Sequence, residues 1–310
     1  MNKLALPALI VLTTLGLAGC DDLMKGGDTS SQSSSSDTSQ AASSATDDSS
    51  AVSDSAVASD SASASSSDSA SSSASSSVAM ADFPHEAATA LLTGSGQGYT
   101  DTSNWAPNIC FPIAKTPDYA SSQVYNPGGD HYPSYGHASG SQCDAKNYAY
   151  PWHDNFCESR SWSNVMCKSG SGHQGQDIRP TTCAAKTYWA VATENGVITQ
   201  VGSYTVALTG DDTPHRIFRY LHMDKASLKV KLGDHVVRGQ KLGLISDNFG
   251  VDSKGNQQHT TIHLHFEVRI AQAETLPDGT VLSASTFVPP YTALVDAYSR
   301  KLAGDCPTVE

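Results

Sequence analysis

The stretch Ile262-His263-Leu264-His265-Phe266-Glu267-Val268 has the look of a strand that carries chemistry. A period of two sends His263, His265 and Glu267 to one face and Leu264, Phe266 and Val268 to the other. The apolar face can pack into a core. Two imidazoles projecting side by side make a poor core and a good metal site. A second group, His173 and Asp177, lies in Ser171-Gly172-His173-Gln174-Gly175-Gln176-Asp177. This segment reads as a loop whose glycine permits a tight turn, so that both side chains can converge on one ion. The third piece is His222 at the end of a strand in Tyr220-Leu221-His222-Met223-Asp224. His85, His131, His137, His153, His215, His235 and His259 sit in no such pattern and are expected at the surface.

These residues need a scaffold. From about residue 186 the chain is a series of β-branched and aromatic runs: 188–193, 197–201, 204–208, 216–222, 228–232, 236–237, 241–246 and 261–270. Turn clusters such as Glu194-Asn195-Gly196 and Gly210-Asp211-Asp212-Thr213-Pro214 separate them. Short strands at this spacing, with no helical period between them, predict an all-β chain built as an antiparallel β-sandwich or barrel. Residues 247–260 connect the last two of these runs. Residues 81–169 are loop-like and punctuated by prolines, with one short helix expected at 85–92. They read as a cysteine-rich wrap on a domain at 170–290, and residues 291–310 read as a C-terminal tail.

The composition sets the compartment. Lys3 precedes an apolar run over residues 4–17, short for a membrane span and the right length for a secretory signal at 1–19. The run ends Leu17-Ala18-Gly19-Cys20, which resembles the bacterial lipobox, so Cys20 is expected to carry a lipid anchor to the membrane. Asp21 and Asp22 follow, which resembles the signal for retention in the inner membrane with the protein facing the periplasm. Residues 21–80 hold nine Asp against the single Lys25 in a Ser/Ala background, a composition unable to form a core. The segment 20–80 is therefore a tether, with an end-to-end distance of about 45 Å. Of seven cysteines, setting aside Cys20 leaves Cys110, Cys143, Cys157, Cys167, Cys183 and Cys306. This even set predicts three disulfides in an oxidising compartment, with the pairing open. No C-x-x-C pair argues for a structural metal. Residues 81–310 carry 17 basic against 22 acidic side chains with no basic block, which excludes a nucleic-acid partner.

In their order along the chain, His173/Asp177, His222 and His263-Leu264-His265-Phe266-Glu267 resemble the lysostaphin-type, LytM-like zinc endopeptidases of bacterial cell walls. The segments Trp189-Ala190-Val191-Ala192 and Val230-Lys231-Leu232-Gly233-Asp234 are similar to that family too, and the resemblance covers roughly 170–290. It implies one Zn²⁺ per chain bound by His173, Asp177 and His265, with a fourth position for water. It implies His222 and His263 as general base or acid and oxyanion stabiliser, their order left open. Glu267 would orient a histidine or pair with an arginine. The implied reaction is hydrolysis of peptide bonds in peptidoglycan cross-links. The alternatives are a silent module that regulates other wall hydrolases, and a protease acting on Gly-rich proteins. Thr261-Ile262 stand where the family usually has Gly or Pro before H-x-H.

Overall fold

The computed structural model describes residues 81–120 and 141–308. The expectations for the signal at 1–19, Cys20, the tether at 20–80, His131 and His137 lie outside those residues. Among the described residues, the main sheet holds eight strands, numbered here in chain order. They are β1 (Tyr119–Ala120), β2 (Gln176–Arg179), β4 (Gly196–Val201), β5 (Val206–Gly210), β6 (Ile217–Leu221), β7 (His235–Val236), β11 (Leu264–Arg269) and β14 (Phe287–Val288). Their order is β1-β2-β11-β6-β5-β4-β7, with β14 paired to the far end of β11, and every pairing is antiparallel. Among the described residues, three two-stranded antiparallel sheets complete the β structure: β3 (Trp189–Val191) with β8 (Lys241–Leu244), β9 (Asn248–Val251) with β10 (Gln257–His259), and β12 (Glu274–Thr275) with β13 (Val281–Leu282). The antiparallel β architecture is the one the alternating runs predict.

Two local expectations are corrected, and two further segments take a structure that the sequence reading did not assign. Residues 85–92 form no helix: His85 and Leu91 make isolated parallel bridges to Trp152 and Asp154, and Thr89 turns through a left-handed φ of 74°. Its N–H donates to Asp154 Oδ2 at 3.0 Å, a long-range bond that outbids a short helix's own. Residues 228–232 are not a strand; Val230 alone of that run is fully buried. The 247–260 connection is the β9–β10 hairpin. The tail contains α1 (Tyr291–Leu302), which buries Tyr291, Leu294 and Tyr298 at helical spacing. Pro290 precedes it, and Arg300 and Lys301 in its last turn complement the helix dipole.

The helix and the loop-like wrap close one end of the core together. Trp152 is inaccessible, stacks on Phe111 at 5.6 Å and lies 4.6 Å from Tyr298, while Phe83 meets Tyr298 edge-on at 4.8 Å. Lys301 Nζ donates to the carbonyls of Ile113 and Lys115 and pairs with buried Asp118 at 3.0 Å. Since these contacts belong to the same buried cluster as Phe218 and Phe266 of the sheet, the wrap is part of one core.

The six cysteines pair as Cys110–Cys306, Cys143–Cys183 and Cys157–Cys167. The bridged residues are 196, 40 and 10 apart in sequence, so the loops they close differ widely. Loop-closure entropy then ranks their stabilisation at about 5, 4 and 3 kcal/mol. Denaturant unfolding of the three Cys-to-Ser pair variants should give the largest loss for Cys110 and Cys306. An equal or reversed order would mean that the unfolded chain's loops do not govern the effect.

Candidate metal centre

The centre is built where three strands end. In the antiparallel register of β2 against β11, Asp177 stands directly opposite His265, and on the other flank of β11 His265 stands opposite Leu221 of β6. Opposed residues hold their Cβ atoms about 5 Å apart, close enough for their side chains to share an ion. The strand period places His263 on the same face as His265, immediately before β11. His222 follows directly after β6. Asp177 therefore sits on a strand and not on the loop its sequence suggested, while His173 remains on the loop before β2. Gly175 between them is required by proximity: a Cβ there would lie 2.5 Å from the Phe266 carbonyl and 2.9 Å from His265 Nε2.

Three donor atoms converge. His173 Nε2 lies 2.9 Å from His265 Nδ1, His265 Nδ1 lies 2.9 Å from Asp177 Oδ1, and His173 Nε2 lies 3.3 Å from the same oxygen. Bonds of 2.0–2.1 Å to a tetrahedral ion imply a ligand–ligand edge of about 3.3 Å. Two imidazole nitrogens and one carboxylate oxygen at this spacing thus fit a divalent metal of the nitrogen- and oxygen-loving class. His263 Nε2 reaches Asp177 Oδ1 at 3.4 Å, and the rings of His222 and His263 are 4.6 Å apart. All five side chains are buried.

Backbone carbonyls fix the tautomers of three of these histidines. Nδ1–H of His173 donates to the Asn155 carbonyl at 3.0 Å, that of His222 to Asn248 at 3.0 Å, and that of His263 to Thr261 at 2.8 Å. Each Nε2 is left with its lone pair. His222 adopts a left-handed φ of 67°, held by Ser246, whose N–H and Oγ both donate to its carbonyl at 2.8 and 2.9 Å. Its ring lies parallel to Tyr204 at 5.9 Å and 5.5 Å from Phe249, so an aromatic wall from the β4–β5 turn and the β9–β10 hairpin backs it.

The electrostatics separate the histidines. Burial drives the pKa of His173 down to about 4, against the pull of Asp177. Burial, reinforced by His263 and His265, holds His222 well below the ordinary imidazole range. Both are neutral near pH 7. Burial also opposes charge on His265, but hydrogen bonds to Asp177 and Glu267 reverse it and push this imidazole up to about 9. Burial raises Asp177, yet His173 and His263 outweigh it and keep the carboxylate ionised. Glu267 behaves likewise: it accepts from His265 Nε2 at 3.2 Å, from Arg219 at 2.7 Å and from Arg269 at 2.9 Å.

Several neighbours carry no sequence signal. Asn155 touches both His173 and Asp177. The Glu158 carbonyl accepts from His173 N–H at 2.8 Å, and burial pushes its carboxyl up to about 8 despite its pairing with Arg160. The Cys157–Cys167 bridge clamps the same loop, with Cys157 N–H donating to the His173 carbonyl at 2.9 Å. His85, His215, His235 and His259 are exposed, and His153 is half-buried, away from the cluster.

Comparison with known proteins bears on this site. No curated protein matches the chain. Among solved structures, a candidate glycyl-glycine endopeptidase, lytM, from Ruminococcus gnavus is similar at 23% identity and TM-score 0.31, over 41% of this chain and 47% of that one. The catalytic domain of the antimicrobial peptidase lysostaphin from Staphylococcus simulans is similar at 22% identity and TM-score 0.30, over 45% and 92%. A zinc-containing peptidase from Vibrio cholerae is similar at 28% identity and TM-score 0.23, over 32% and 28%. The chain thus spans less than half the length of the first and third of these. Residues 171–277 match the model of peptidase family M23. The matched stretch contains His173, Asp177, His222, His263 and His265.

Proposed function

We propose that this chain is a zinc-dependent endopeptidase that hydrolyses peptide bonds in peptidoglycan cross-links, with one Zn²⁺ held by His173 Nε2, Asp177 Oδ1 and His265 Nδ1. The observation that carries the reading is the convergence of those three donor atoms beside two further imidazoles. The M23 match supports a peptidase, and the resemblance to lysostaphin-type enzymes supports the bacterial wall as its substrate. A zinc ion so held supplies a Lewis acid for the scissile carbonyl and for the attacking water.

The protein's own groups do the rest. His222 is neutral at working pH and presents Nε2 with a free lone pair, the state a general base requires. His263, fixed by the Thr261 carbonyl, presents Nε2 to the same space, where, once it has taken up a proton released by the attacking water, it can donate to the oxyanion or pass that proton to the leaving amine. Asp177 accepts from its neighbours and stays anionic. Glu267, pinned by Arg219 and Arg269, holds His265 from behind, so that the opposite nitrogen faces His173 and Asp177. In the same reading Cys20 anchors the protein in the cell envelope, and residues 20–80 tether the domain on the periplasmic side of the membrane.

The purified secreted protein should bind about one zinc per chain. His173→Ala, Asp177→Ala or His265→Ala should each abolish tight binding, since three ligands leave none spare. Full zinc occupancy of any of these variants, measured by elemental analysis after dialysis, would overturn the ligand set.

His222→Ala and His263→Ala should retain zinc and lose about 10²–10⁴-fold in the release of peptides from purified sacculi. Near-normal turnover in both would place the proton transfers elsewhere. Zinc-loaded wild type that releases nothing from sacculi would defeat the substrate assignment.

The charge on His265 gives zinc binding a pH dependence of fixed sign. In the metal-free protein this imidazole keeps its proton up to about pH 9, and an ion bound at Nδ1 must displace it. Affinity should therefore rise about tenfold per pH unit between about pH 6 and 9, and one proton should leave per zinc bound near neutrality. Calorimetry in buffers of differing ionisation enthalpy counts that proton, and a flat pH profile would contradict the assignment.

A further inference from the structure

Asn155 precedes the M23-matched residues, is 1% exposed, and directs each of its four polar groups at the ligand cluster or the strand beneath it. Its carbonyl accepts from His173 Nδ1 at 3.0 Å. Its side-chain Nδ2 donates to Asp177 Oδ2 at 3.1 Å, and its Oδ1 accepts from the Asp177 N–H at 3.1 Å. Its own N–H donates to Gln176 Oε1 at 3.2 Å. We propose that Asn155 is the positioning residue of the metal centre, and that the wrap before the M23 domain thereby supplies a working part of it. The inference rests on reading His173, Asp177 and His265 as the metal ligands.

Two consequences follow from the bonds. The carbonyl sets the His173 tautomer, so that the Nε2 lone pair points at His265 Nδ1 and Asp177 Oδ1. The amide ties down Asp177 Oδ2, so that Oδ1 alone turns into the cluster. Only asparagine offers a donor to the carboxylate and an acceptor for the backbone N–H from one short planar group. Aspartate would set a second carboxylate against the first. Alanine would leave the bonded atoms of Asp177 unsatisfied in a buried place.

Asn155 is itself held on both sides. Asp154 accepts from Tyr99 Oη–H, from Thr89 N–H at 3.0 Å and from Phe156 N–H at 2.9 Å. On the other side Cys157 is bridged to Cys167, and its N–H donates to the His173 carbonyl at 2.9 Å. A residue so confined can transmit the wrap's rigidity to both ligands.

Zinc titration of the full chain against a competing chelator tests this, with Asn155→Ala beside wild type. The variant should bind zinc about 10–100-fold more weakly. Its cobalt(II)-loaded form should show shifted visible ligand-field bands, which a loss of stability alone would not move. A folded Asn155→Ala protein with wild-type zinc affinity and an unchanged cobalt spectrum would overturn the proposal. Wild-type protein gives an arm that does not depend on the variant's folding. In ¹⁵N spectra the Asn155 side-chain amide should shift and exchange more slowly with solvent once zinc is added, and an unmoved resonance would overturn the proposal equally. Wild type that takes up no zinc would instead remove the metal reading on which the proposal stands.

Discussion

The register of β2 against β11 is the constraint on which everything else at the centre depends. It sets Asp177 across from His265, and the same strand β11, paired on its other side with β6, delivers His222 to the open end. A slip of one residue would turn Asp177 or His265 to the opposite face, where Leu264, Phe266 and Val268 are packed without solvent. The hydrophobic core and the polar cluster therefore enforce each other. Phe218 and Tyr220 on β6 meet Phe266 on β11 at 6.1 and 5.4 Å, and that contact fixes the register which the ligands need.

How legible this was differs by element, for physical reasons. The alternation of His263, His265 and Glu267 with Leu264, Phe266 and Val268 is a local property of one strand, and the face assignment follows from the sequence alone. The strand character of Asp177 is not local. Gln176-Asp177-Ile178-Arg179 offers one apolar side chain and becomes a strand because β1 and β11 pair with it on either side. The helix α1 did leave a readable signal in Tyr291, Leu294 and Tyr298, with Pro290 before it, at a helical spacing that the strand period of two does not contain. Asn155 left none, because its bonds to Asp177 cross 22 residues and no motif encodes them.

The wrap also answers an energetic need. Asp154, Glu158, Asp177 and Glu267 are all buried, and a carboxylate taken from water costs several kcal/mol unless it is paired or bonded. Each has a dedicated partner: Tyr99 and backbone N–H groups for Asp154, Arg160 for Glu158, Asn155 and the histidines for Asp177, Arg219 and Arg269 for Glu267. Two of these carboxylates belong to the wrap and two to the sheet. The polar layer between them is thus a shared interior, and the loop-like segment is tolerable only because its backbone and side-chain groups find their partners there.

The same balance explains why the two flanks of the centre are built so differently. His265 is fixed by a strand and by Glu267, which is charged and locked by two arginines. His173 is fixed by a loop, a neutral carbonyl and a disulfide closing only 10 residues. A second carboxylate behind His173 would add negative charge to a cluster already holding Asp177 and Glu267, and would raise His173 toward the protonated state that cannot ligate. A neutral acceptor avoids this. With His173 left neutral by burial and His265 charged between its two carboxylates, the cluster's one competing proton sits on a single nitrogen, and an incoming cation has only that proton to displace.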